Sequence, residues 1–405
     1  MWKPLERLLR PLRRPAPTTR RVRVTVPARR GPMRVVYQDA VVHENFTLRA
    51  RLLQRTARLV FKPLLQYAPV NDRTLLTLRS IDKWSARGPR SRYVEPVEHD
   101  LGGVRVESMT HRYGPTSDMS VLYLHGGGFF SCGIETHRRI CERLALYTGA
   151  TVTSVEYVQL PEGDVAASVQ DAITAYEALV DQVAHPDKIV VGGDSAGGYL
   201  TMKIAELADR RGLPAPAALL GFSPLLSLDP EREDKGIERV TRIRDAYLPV
   251  KRVGAIRKRW LPEGSRIEGE ASPLDAVDHI ASPTFLVGVE DEMLRPEIEA
   301  MAVLLAERGV EVETHLWRGQ VHAFPVLADA LPESKQALKL AADFARRAVG
   351  ELPPRQVPLG DHEDVTDDPI VGEIVPDPDP QADTEIVDAT LEGDTGKRRW
   401  SFQGR

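Results

Sequence analysis

Cysteine is nearly absent: among 405 residues only Cys132 and Cys141 carry thiols. Two cysteines supply neither a disulfide framework nor a metal quartet, and they fit a reduced, cytoplasmic setting. The opening stretch, MWKPLERLLRPLRR, is too short in its apolar part and too charged for a secretory leader or a membrane-spanning helix. No internal repeat is visible. The formal net charge is only −4, with a pI near 6.2, and no nucleic-acid partner is expected.

What is present is a hydrophobic content of 42%, enough for a sizeable core, and a strong charge asymmetry. Residues 1–30 carry ten Lys or Arg and one acid, Glu6. Trp2, Leu5, Leu8, Leu9 and Leu12 fall at roughly helical spacing, which suits contact with an anionic membrane surface. Pro4, Pro11, Pro15 and Pro17 interrupt that pattern and favour a solvated arm, so 1–44 reads as a mostly disordered basic segment. At the other end, 353–405 is rich in Asp, Glu and Pro, lacks periodicity and reads as an acidic tail.

Between these ends, short apolar runs alternate with helical patterns. VLYLH (121–125), TVTSVEY (151–157), KIVVGG (188–193), AALLGFS (217–223), TFLVGV (284–289) and VEVETHLW (310–317) read as strands. Helical segments between them are expected at 135–148, 164–183, 195–211 and 296–308. This alternation predicts an α/β fold, a mostly parallel central sheet with helices on both faces. YVEPVEHDL and VRVESMTHR predict an edge hairpin. Residues 45–90 and the insertion 229–270 break the alternation and are expected to form a helical cap on a domain spanning 45–352. Such a cap would sit at the carboxyl edge of the sheet, where open α/β folds bind ligands.

Three stretches carry chemistry. Gly193-Asp194-Ser195-Ala196-Gly197 joins a predicted strand to a predicted helix. A sharp turn there needs small neighbours, and it lifts the Ser195 hydroxyl to a helix N-terminus. No Lys-Ser/Thr pair follows, so it is not a phosphate-cradling loop. A serine nucleophile needs a base, and His322, in the loop after the last strand, is the candidate. His315 falls within a strand and His362 within the tail. The imidazole needs an acid, and Glu290, Asp291 and Glu292 stand in a row after TFLVGV. Residue type alone does not choose among the three; Asp291 is the expected acid. Acyl transfer also builds a negative oxygen that preorganised N–H groups must meet. His125-Gly126-Gly127-Gly128 supplies bare backbone for it, and Ala196 adds an amide, with His125 expected to brace the loop.

In HGGGF (125–129), GDSAGG (193–198), EDEML (290–294) and GQVHAF (319–324), in that order, the chain resembles the hormone-sensitive-lipase-like family of α/β-hydrolases, over roughly 45–350. The resemblance implies Ser195, Asp291 and His322 as catalytic triad, and Gly127, Gly128 and Ala196 as oxyanion donors. It also implies a helical cap from the N-terminal segment plus the insertion. Two departures stand out. YVQLPE (157–162) replaces the family's usual YRLAPE, and Asp291-Glu292-Met293 stands where Asp-Pro-Leu is common.

These features predict a serine hydrolase that cleaves small carboxylic esters through an acyl-enzyme, with no metal or organic cofactor. An amidase or acyltransferase would use the same triad, and a non-catalytic binding module would show a degraded one. Phe129, Phe130, Leu225, Leu226 and Phe324 flank the motifs and are expected to line an acyl pocket for short to medium chains.

Overall fold

The computed structural model describes residues 17–26, 34–88, 90–228 and 244–354. The acidic segment from 355 onward, residues 1–16 and the first part of the insertion, 229–243, lie outside these. Ten strands form one sheet: β1 (Thr18–Val26), β2 (Arg34–His43), β3 (Val94–Leu101), β4 (Val104–His111), β5 (Ser120–Leu124), β6 (Thr151–Val155), β7 (Ile189–Asp194), β8 (Ala218–Phe222), β9 (Thr284–Val289) and β10 (Val312–Trp317). Their order is β1-β2-β10-β9-β8-β7-β5-β6-β4-β3. From β2 through β6 neighbouring strands run parallel; β1 and the β3–β4 hairpin add antiparallel edges.

The central strands β7, β8 and β9 are buried along their whole length. A parallel sheet covered on both faces requires this, and it explains why these strands read as continuous apolar runs rather than alternating ones. Alternate side chains feed two separate cores. Leu122, Leu124 and Val191 face one side, packed by α5 (Val165–Gln182) and α6 (Ala196–Arg211). Val121, Tyr123 and Val190 face the other, packed by α4 (Ile134–Thr148) and the last described helix (Pro332–Ala348).

The basic arm is shorter than its composition suggests. Residues 18–26 and 34–43, expected as solvated chain, are β1 and β2, and β2 pairs in parallel with β10 through His315, Leu316 and Trp317. The physical reason lies in RVRVTV: Val22, Val24 and Val26 alternate with polar residues at the strand period. Val24 and Val26 are buried against Val303. The alternative of membrane contact rests on Trp2, Leu5, Leu8, Leu9 and Leu12, which lie outside the described residues. Among the described residues no helix is long and apolar enough to cross a membrane.

Ahead of β3 come α1 (Leu48–Thr56), a π-helical turn (Ala57–Phe61), α2 (Lys62–Tyr67) and α3 (Asp72–Ser85). The described part of the insertion carries α7 (Val253–Trp260) and lies on these helices. Lys62 Nζ donates to the Asp245 carbonyl at 2.5 Å, and Arg252 Nε donates to the Gln66 carbonyl at 2.8 Å.

Because β1 covers the outer edge of β2, removing residues 1–33 should expose that edge and the Val303 surface. The expected result is a Tm lower by about 5 °C and concentration-dependent association. Removing only 1–16 should change neither. Thermal melts and light scattering on the two truncations check this.

Candidate active site

The turn from β7 into α6 holds Ser195 at φ 50°, ψ −116°, a left-handed conformation that costs a non-glycine residue roughly 1–3 kcal/mol. The surroundings enforce it. The Ser195 amide donates to the Phe222 carbonyl at 3.1 Å, and the Ser195 carbonyl accepts from Tyr199 and Leu225. Space is short on the inner side of the turn. A Cβ at Gly197 would sit 1.9 Å from the Leu124 carbonyl oxygen, and one at Gly193 would sit 2.5 Å from the Gly197 oxygen. The glycines are therefore needed for the close approach of α6 to β5, not for flexibility.

His322 lies in the loop after β10, and its Nε2 is 2.9 Å from Ser195 Oγ. Its Nδ1 is 2.8 Å from Glu292 Oε2. The sequence expectation of Asp291 as this partner is corrected here: the carboxylate on the imidazole belongs to Glu292, which is buried. The turn after β9 decides the matter. The Glu292 amide donates to the Val289 carbonyl at 3.2 Å, and Glu292 Oε1 accepts the Val289 amide at 2.8 Å, so the third acid curls under the strand end. Glu290 faces outward and pairs with Arg318. Asp291 is half-buried, with its charge bearing on the same Arg318. A signal for this register was present. Glu292-Met293-Leu294 keeps the acid-x-Leu spacing of Asp-Pro-Leu, whereas Asp291-Glu292-Met293 does not.

Burial alone would depress the His322 pKa. The hydrogen bond and charge of Glu292 outweigh it, with Asp245 and Asp194 adding to them, and the pKa stands above its ordinary 6.5. Asp245, which sequence reasoning did not single out, ties the insertion to the acid turn. Its Oδ2 accepts the Met293 amide at 2.8 Å, and its Oδ1 accepts the amides of Tyr247 and Leu248. The Tyr247 ring then stacks on His322 with centroids 6.3 Å apart.

The glycine loop follows β5. Gly127 has φ 121° and Gly128 φ 64°. A Cβ at Gly127 would lie 1.8 Å from the Ser131 carbonyl oxygen. The loop's own hydrogen bonds run from the amides of Phe130 and Ser131 to the Gly127 carbonyl, and Trp260 Nε1 donates to the Gly128 carbonyl at 2.8 Å. Ala196 opens α6, so its amide has no acceptor within the helix. Gly127, Gly128 and Ala196 thus stand on the two turns that flank Ser195. His125 is wholly buried, 2.7 Å from the Gly126 carbonyl and stacked on Tyr157. Burial and then the neighbouring His137 push its pKa down to about 4, so it is neutral at physiological pH.

Asp194, His137 and Tyr123 were not foreseen as a group. Asp194 Oδ1 accepts from Tyr123 Oη at 2.9 Å and from the Gly126 amide at 3.0 Å, and it lies 3.2 Å from His137 Nε2. Only GDSAGG marked Asp194, and nothing in sequence links it to His137, 57 residues away. Of the expected acyl-pocket residues, Phe129, Leu226 and Phe324 have no exposed surface and belong to the core, and Leu225 is nearly as buried. Phe130 is half-buried. Burial and then the Asp194 charge push the Cys132 thiol up to about 11, so it holds no thiolate at neutral pH. Among the described residues no cluster of His, Cys, Asp and Glu could hold a metal ion.

A family model described as alpha/beta hydrolase fold matches residues 121–326. The chain is 34% identical over 237 residues to esterase LipU of Mycobacterium tuberculosis, covering 57% of this chain and 78% of that protein. It is 30% identical over 234 residues to an acetyl-hydrolase of Streptomyces hygroscopicus, covering 57% and 77% respectively. A solved esterase of the bacterial hormone-sensitive lipase family superposes with a TM-score of 0.66 at 26% identity, covering 76% of this chain and all of that one. With a serine at the strand-to-helix turn, a glycine loop beside it and these relatives, the chain belongs to the α/β-hydrolases, in their hormone-sensitive-lipase-like group.

Proposed function

We propose that the protein hydrolyses carboxylic esters of small molecules, with Ser195 as nucleophile, His322 as general base and Glu292 as the acid that orients it. The observation that carries this reading is the line from buried Glu292 through buried His322 to half-buried Ser195, with steps of 2.8 and 2.9 Å. Relatives named esterase and acetyl-hydrolase support the same chemistry.

In the first half of the reaction Ser195 Oγ attacks the acyl carbonyl while His322 Nε2 takes its proton. Glu292 holds Nδ1–H toward itself, which leaves Nε2 free to accept, and it stabilises the imidazolium that forms. Negative charge collects on the former carbonyl oxygen, where the amides of Gly127, Gly128 and Ala196 serve as donors. His322 then returns the proton to the leaving alcohol, and an acyl-enzyme remains. Water, deprotonated by the same imidazole, releases the acid. The insertion closes over the glycine loop through Trp260 and over His322 through Tyr247. A roof of this kind favours short and medium acyl chains.

Ser195→Ala should abolish p-nitrophenyl ester hydrolysis, and wild-type rates should fall from butyrate toward palmitate. Rates rising steadily through emulsified long-chain esters would overturn the acyl preference.

The acid's identity has its own test. Glu292→Gln should lower kcat by about 10³- to 10⁴-fold, the effect of losing the tautomer-holding acid in a triad, whereas Asp291→Asn should stay within about threefold. The base must be neutral to act, so activity should rise with pH through a midpoint above 6.5, the ordinary histidine value. In Glu292→Gln that midpoint should move down, because the group that raised it is gone. The sign for stability is the reverse of an acid's. A raised folded pKa means the pair's contribution is complete below 6.5 and fades as pH climbs through the folded value. A pH–rate series and melts on both variants check these outcomes.

A further inference from the structure

Among the described residues, nothing packs on the outer face of the helical run formed by α1, the π turn and α2, residues 48–67. Its inner face is fixed. Ala50 and Ala57 are buried, and Gln54 Nε2 donates to the Gln320 carbonyl at 3.4 Å, two residues before His322. Its outer face presents Leu48, Leu52, Leu59, Val60, Leu64 and Tyr67, with exposures from 55% at Val60 to 79% at Leu48. A soluble surface carries single exposed leucines without consequence, but a row of them along one helix marks a contact surface.

Charge narrows the partner. Residues 48–67 hold five cations and not one Asp or Glu, in a chain whose net charge is −4; Arg58 and Lys62 donate to the Arg244 and Asp245 carbonyls of the insertion, and Arg49, Arg51 and Arg55 are exposed beside the apolar face. Lys251, from the insertion, adds a cation 5.8 Å from the Tyr67 ring. A second copy docking face to face would set these cations against each other. An apolar helix face flanked by arginines and bearing an aromatic is instead the pattern that lies in the headgroup layer of an anionic bilayer. The leucines enter the acyl boundary there, and the arginines reach back to phosphates.

We propose that this face docks the protein on anionic lipid membranes, with the helix in the plane of the interface and the Ser195–His322 site close behind it. This surface is distinct from residues 1–16, and its binding does not depend on catalysis.

The test is flotation of the full chain with vesicles of phosphatidylglycerol and phosphatidylcholine, against phosphatidylcholine alone. The full chain and Ser195→Ala should both bind the anionic vesicles, more weakly as salt rises. The doubly substituted Leu59→Glu, Leu64→Glu chain should bind at least about tenfold more weakly, since each leucine removed from the interface forfeits burial. Both positions are exposed, and an unchanged thermal melt verifies folding. A chain lacking residues 1–16 should still bind. Binding that survives the double substitution, that is equal on neutral vesicles, or that is absent or lost with 1–16 would overturn the proposal. So would a dimer dissolved by the same substitutions, which assigns the face to a second copy. Binding seen only after removal of 355–405 would assign the face in the full chain to that acidic segment, and would also overturn it.

Discussion

The buried carboxylate of Asp194 stands between the two turns on which this site is built. It is the last residue of β7, directly before the serine, and it accepts the Gly126 amide at the root of the glycine loop. Burial would push this carboxyl up. The charge and hydrogen bond of His137, with the Tyr123 hydroxyl, hold it below its ordinary value and so ionised. His137 responds in kind: burial would lower its pKa, but Asp194 raises it. A buried pair of this sort is costly to break, because losing one partner strands the other's charge, at about 3–5 kcal/mol. The consequence is geometric. The glycine loop and the turn that carries Ser195 share one anchor, so neither shifts without the other.

Strain concentrates around that anchor. Phe129, Cys132, Ser195, Ser223 and Ala323 all hold positive φ without being glycine. They come from the loops after β5, β7, β8 and β10. The contacts that impose these conformations are visible: the Ser223 amide donates to the Val287 carbonyl at 2.7 Å, and Ser223 Oγ accepts the Ala323 amide at 3.2 Å. The core beneath supplies the energy. Phe129, for example, is wholly buried and packs edge-on against Tyr199 and Trp260. Rigid strands under strained loops hold the reacting groups at fixed distances, which is what a site must do to lower a barrier by positioning.

The parts of the site readable from sequence were those with local causes. Gly-x-Ser-x-Gly is legible because a tight turn forbids side chains at its neighbours, and His322 because chain order places it after the last strand. The β1–β2 pair escapes the sequence reading because Pro4, Pro11, Pro15 and Pro17 and the surplus of basic residues point to solvated chain, which the structure bears on only from residue 17 onward. In fact an antiparallel edge tolerates polar residues on one face while the valines bury the other. Phe129 and Phe324 were misread because an apolar residue near a motif looks the same whether it lines a pocket or fills the core.

By itself the sequence determined the alternation of strand and helix, the serine at the turn, the glycine loop and the order of the functional groups. Each of these is fixed by interactions within a few residues or by a periodicity along one element. Only the tertiary structure decided which of three consecutive acids meets the histidine. That depends on how the chain curls after β9, where Glu292 returns to the Val289 amide. Only it brought Asp245 to the acid turn and His137 to Asp194, from separations of 48 and 57 residues. Such pairings are chosen by packing among elements remote in sequence, and no local pattern records them.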